Sequence, residues 1–88
     1  MNKTRAASKL TETTDLGIAT VIVELEDGQY EPVGVVSSIR EAREVISSDK
    51  TSRKRRLALG ESPLCPFVYR VWARRTDGEY RPVFEIYY

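Results

Sequence analysis

The run Asp27, Gly28, Gln29, Tyr30, Glu31, Pro32, Val33 returns fifty residues later as Asp77, Gly78, Glu79, Tyr80, Arg81, Pro82, Val83, and five of the seven positions (Asp, Gly, Tyr, Pro, Val) are identical. Val21 aligns with Val71 at the same offset. Asp-Gly between alternating apolar runs is a strong hairpin signal, because a tight turn needs positive φ and glycine supplies it without a Cβ clash. The chain therefore reads as one β-hairpin used twice.

The flanking periodicity agrees. Ala19, Val21, Val23 and Leu25 fall on one face of a strand, with Ile18, Thr20, Ile22 and Glu24 on the other. Phe67, Tyr69, Val71 and Ala73 alternate with Val68, Arg70, Trp72 and Arg74, and Tyr80, Pro82, Phe84, Ile86 and Tyr88 return on the Phe67 and Tyr69 face. A two-residue turn would set Leu25 opposite Tyr30, Glu24 opposite Glu31, Arg74 opposite Arg81 and Arg70 opposite Glu85; a three-residue turn with a bulge shifts this by one. Pro32 and Pro82 cannot donate to a ladder. Strands 2 and 4 are therefore edges, and the expected order is 2-1-3-4.

Between the hairpins, Ser38, Ile39, Arg40, Glu41 form an S-x-x-E capping box, followed by Ile39, Ala42, Val45 and Ile46 at helical spacing. This predicts a helix from about 39 to 48. Ser47, Ser48 and Asp49 read as an interruption, with a second helical segment from Lys50 ending at Gly60 as C′ and a loop over 61–66. The fold class is α+β: two hairpins flanking one or two helices, with a four-stranded antiparallel sheet covered by helix on one face. Residues 1–16 are polar and aperiodic and read as a disordered or loosely attached tail. Residues 17–88 read as a single small domain.

Composition narrows the function classes. Fourteen basic and 13 acidic residues leave a net charge of +1, which demands neither nucleic acid nor an anionic membrane. The chain has no histidine, so the usual neutral-pH base and the commonest metal ligand are missing. The single cysteine, Cys65, allows no internal disulfide and has no histidine to activate it. It reads as a partly buried, inert thiol. The acids Glu24, Glu26, Asp27, Glu31, Glu41 and Glu44 are scattered, and phosphate-loop glycine patterns are absent. The expectation is a protein without enzymatic activity, cofactor or metal. No apolar run approaches the ~18 residues of a membrane helix, so no membrane association and a cytoplasmic location are expected.

Two surfaces remain. Lys50, Arg53, Lys54, Arg55 and Arg56 form a cluster suited to phosphate contacts. Arg70, Trp72 and Arg74 share a strand face, with Arg81 and Tyr87 expected beside them on the side away from the helical cover. Trp and Arg on an open face are typical of interface hot spots. The leading reading is a non-catalytic protein-binding domain that uses the open sheet face or the sheet edges. The alternative is nucleic-acid binding through residues 50–56 and the Arg/Trp face. Opposite charges at repeat-equivalent sites, Glu24 with Arg74 and Glu31 with Arg81, add a homodimer as a further partner. A duplicated hairpin around a helix is too generic to name a family.

Overall fold

A computed structural model describes residues 10–74 and 77–88. The elements run β1 (Ala19–Leu25), β2 (Tyr30–Val36), α1 (Ile39–Ala58), β3 (Pro66–Arg74) and β4 (Tyr80–Tyr87). The strands form one antiparallel sheet in the order β2-β1-β3-β4, and α1 packs on one face. The proline argument for edges and centre therefore holds, although Pro32 stands opposite Ile22 and Pro82 opposite Trp72, one residue from the two-residue-turn register.

The turn explains the shift. Leu25 N–H donates to Gln29 O at 2.8 Å and Gly28 N–H to Leu25 O at 2.8 Å, so three residues span the first turn, and Gly28 has φ +86. Glu24 consequently faces Tyr30, and Arg74 faces Tyr80. The like-charge pairs Glu24 with Glu31 and Arg74 with Arg81 do not form, which removes the charge-matching argument for a homodimer. Each hairpin then corrects its own register. A bulge leaves Val33 extra between Pro32 and Gly34, and a second leaves Val83 extra between Pro82 and Phe84. This second bulge restores the pairing of Arg70 with Glu85.

The repeat is also spatial. β1 and β3 pair with Val21 opposite Val71, Ala19 opposite Ala73 and Val23 opposite Tyr69. Exchanging each residue for its counterpart fifty positions away reproduces these pairs, so a pseudo-two-fold axis passes through Val21 and Val71. The helix-side core gathers on that axis: Ala19, Val21, Val23, Tyr69, Val71 and Ala73 are all buried. Val33 and Val83 flank it as equivalents.

One helix cannot obey a two-fold axis, and Gly34 marks the broken symmetry. A Cβ at Gly34 would stand 3.2 Å from Val45 Cγ1, whereas the equivalent position holds Phe84, with the Arg43 guanidinium 5.0 Å from its ring centroid. Gly34→Leu is expected to cost roughly 1–2 kcal/mol by overpacking. Adding Val45→Ala should recover part of this in a urea double-mutant cycle; strict additivity would mean that the two elements do not touch there.

Ser38 caps α1 as expected, with its Oγ accepting from Glu41 N–H at 3.2 Å. The return bond goes one residue earlier than expected: Glu41 Oε1 accepts the amide of Ser37 at 2.8 Å. α1 is a single 20-residue helix, so Ser47, Ser48 and Asp49 do not interrupt it. It ends as the glycine requires. Gly60 has φ +90, Glu61 N–H donates to Arg56 O and Gly60 N–H to Leu57 O, both at 3.0 Å.

Of the expected tail, residues 1–9 lie outside the described residues. Residues 10–16 touch the fold: Leu16 N–H donates to Ser37 O at 2.8 Å, Arg40 N–H to Glu12 O at 2.9 Å, and Glu12 pairs with Arg43 at 2.8 Å.

Candidate functional site

The sheet face away from α1 carries Thr20, Ile22 and Glu24 from β1 and the residues in register with them. On β3 these are Trp72, Arg70 and Val68; on β2 they are Val35, Pro32 and Tyr30. β4 adds Tyr80, Pro82, Glu85 and Tyr87. A solvated antiparallel face ordinarily alternates to polar residues. This one is largely apolar and aromatic, with Val35 70% and Tyr87 59% exposed and Tyr30 and Tyr80 also exposed.

Bulges decide which residues reach this face. Phe67 is extra between Pro66 and Val68 opposite β1. It is not buried with Tyr69 as the simple alternation requires but is 54% exposed, edge-on to Tyr87 at 5.7 Å between centroids. Val68, assigned to the solvated side, is fully buried there beside Glu24 and Tyr87. Tyr80 and Pro82 also belong to the open face, because the Val83 bulge separates them from Phe84 and Ile86.

Arg70 sits at the centre. Its Nη1 meets Glu24 Oε1 at 2.8 Å and its Nε meets Glu85 Oε2 at 2.7 Å. Hydrogen bonds to Glu24 and then Glu85 raise its pKa beyond the ordinary arginine value. Both of its charge-bonding edges are therefore taken by carboxylates. Trp72 lies on this face as expected, half-buried, stacked on Tyr80 at 6.2 Å, with its Nε1 buried and without a protein partner. Arg74 Nη1 donates to Gly78 O at 2.7 Å. Arg81 falls on the other face, opposite Ala73, and pairs with Glu79; the one-residue turn shift moved it.

The basic segment is divided by the helix rather than gathered. Arg53 points into the fold and is nearly buried. Its Nε meets Asp49 Oδ2 at 2.8 Å, and its Nη2 meets Glu31 Oε1 at 3.0 Å. Tyr69 OH donates to the same Asp49 oxygen at 2.7 Å. Burial pushes the Arg53 pKa down, and its bonds to Asp49 and Glu31 more than reverse this. Arg56 pairs with Glu61 at 2.9 Å. Lys50 Nζ lies 5.3 Å from the centroid of the Tyr88 ring and 5.8 Å from that of Tyr69. Lys54 and Arg55 are exposed.

Cys65 is exposed, not partly buried, because the hairpin turn holds its backbone outward: Cys65 N–H donates to Glu26 Oε2 and Glu26 N–H donates to Cys65 O, both at 2.8 Å. Glu26 thus ties the turn to the 61–66 loop. Asp27 and Asp77 do repeat-equivalent turn chemistry, each accepting from the amide two residues on at 3.0 Å. Among the described residues no helix is long and apolar enough to cross a membrane. No protein-family model, curated protein or solved structure matches the chain.

Proposed function

We propose that the protein is a non-catalytic binding domain that docks another protein on its open sheet face. The observation that carries this reading is the aromatic and aliphatic cover on a solvent-facing sheet around an internally neutralised arginine. Exposed apolar patches of this kind mark interaction surfaces, and aromatic side chains dominate hot spots. The ion pairs that occupy Arg53, Arg56 and Arg70 favour a protein partner over a phosphate backbone. A reducing cytoplasm suits an exposed free thiol such as Cys65.

The test uses the tagged chain and its Tyr30→Asp and Tyr87→Asp variants as baits in nuclease-treated extract of the source cell. The expected result is a stoichiometric protein held by the wild type at low and high salt and released by both variants. Capture that disappears with nuclease and falls steeply with salt would move the function to nucleic acid.

A further inference from the structure

A second surface lies at the far end of α1 and is independent of the open sheet. Leu57, Pro63, Leu64 and Tyr88 line a cleft of about 110 Å³, with Lys54 on its rim. Leu57 is 63% exposed, and Leu64 and Tyr88 are exposed beside it. These side chains come from the last turns of α1, the loop before β3 and the residue after β4, so the whole fold assembles the cleft. Leu57 sits on a helix ridge with Lys50 and Lys54, at i, i+4 and i+7.

The charge pattern selects the occupant. Arg43, Arg53, Arg56, Arg70 and Arg81 each pair with a carboxylate. Among the described residues Arg40, Lys50, Lys54, Arg55 and Arg74 have no such pair; of these Lys54 lines the cleft and Lys50 shares its ridge, so unbalanced positive charge lies along the helix side of the cleft. Asp49 and Glu31 are committed to Arg53, and Glu61 to Arg56. Glu26, on the loop side, is held by the amide of Cys65. The residues before Leu10 include Lys3, Arg5 and Lys9 and no acid, so this chain's own start has the wrong charge to fill the site. The walls are leucine and proline with a single aromatic ring, Tyr88, rather than the successive aromatic platforms that stack a run of nucleobases, which suits one aliphatic or aromatic side chain of a peptide.

We infer that this cleft binds a short acidic peptide segment of a partner protein, with one apolar side chain inserted between Leu57, Leu64 and Tyr88 and flanking carboxylates set against Lys54 and Lys50. Charged rims of this kind add on-rate and specificity around an apolar anchor.

Selection of phage-displayed random dodecapeptides on the full chain tests it. The expected winners carry Leu, Ile or Phe between Asp and Glu residues. A synthetic copy of the strongest should lose about tenfold or more in affinity, equivalent to ~1.4 kcal/mol, on Lys54→Glu and on Leu64→Asp. It should weaken with salt and bind Tyr30→Asp unchanged, which separates this cleft from the open sheet. Lys54→Glu alters an exposed helix position and should keep the wild-type urea midpoint, so it carries the test if Leu64→Asp does not fold. No enrichment, winners without acids, or winners indifferent to Lys54→Glu would overturn the inference. So would a single-stranded oligothymidine or phosphatidylserine vesicles binding in preference to any peptide and lost in the same variants.

Discussion

Asp49→Ala is expected to lower the stability of the fold by ~3–5 kcal/mol, the cost of stripping one partner from a buried ion pair. Against a typical total of ~5–15 kcal/mol, that is a large share. A single oxygen, Oδ2, accepts from Arg53 Nε and from Tyr69 OH, and the side chain is only 20% exposed. Its loss leaves a nearly buried guanidinium with Glu31 as its one carboxylate partner and a buried phenol without its Asp49 acceptor. The remaining Glu31 bond and the contact to Leu64 O at 3.4 Å place the effect toward the lower end. Equilibrium urea unfolding measures it. Asp49→Leu combined with Arg53→Met should cost less than Asp49→Ala alone, because a volume-filling apolar pair leaves no orphaned charge. A loss below ~1 kcal/mol for Asp49→Ala would mean that water already solvates this carboxylate.

That same residue shows where local reading of the chain stops. Ser47, Ser48 and Asp49 favour caps and turns when judged by their own side chains, so they read as a helix break. In the fold Asp49 is bonded to Tyr69, 20 residues away, and Arg53 joins it to Glu31, 22 residues from Arg53. Tertiary bonds satisfy the carboxylate and carry the helix through. The hairpins, the edge strands and the helix start were legible because each rests on chemistry confined to a few residues: glycine's positive φ, proline's missing donor, the serine cap. The bulges were not. Val33, Phe67 and Val83 are ordinary strand residues, and nothing in their side chains announces that the backbone has gained a residue there.

The open face was legible in the same measure. Its central residues Arg70 and Trp72, and the pairing of Arg70 with Glu85, follow from alternation and the hairpin. Arg81 was misplaced by a one-residue turn difference, since a slip of one exchanges the faces. The bond from Arg70 to Glu24 needs the register of β1 on β3, across 46 residues, which no local pattern encodes. The apolar content of the face was underestimated for the same reason: the turn shift that moved Arg81 brought its neighbours Tyr80 and Pro82 onto it, and the Val83 bulge returned Phe84 and Ile86 to the core face.

Raising the pH above ~10 is expected to destabilise the protein through Tyr69, by about 2–3 kcal/mol at pH ~12 relative to Tyr69→Phe. The ring is fully buried, and its hydroxyl donates to Asp49 Oδ2 at 2.7 Å. Burial first, and the bond to the Asp49 carboxylate second, push the phenol well above its ordinary range. In the unfolded chain it titrates near pH ~10. The folded-state pKa is the higher of the two, so the stabilisation is fully present below pH ~10. It is lost as the pH climbs from there toward the folded-state value, because the unfolded chain sheds its proton first. The slope in that window is at most ~1.4 kcal/mol per pH unit. At neutral pH Tyr69→Phe should be the weaker protein by ~1 kcal/mol, having lost the hydrogen bond. The wild-type advantage is therefore used up within about one pH unit, and the two stability curves should cross near pH ~11. Every other tyrosine is common to both proteins and cancels in the difference. Parallel curves through the window would mean that the phenol reaches water in the folded state, and that Asp49 is bound beneath the helix by Arg53 alone.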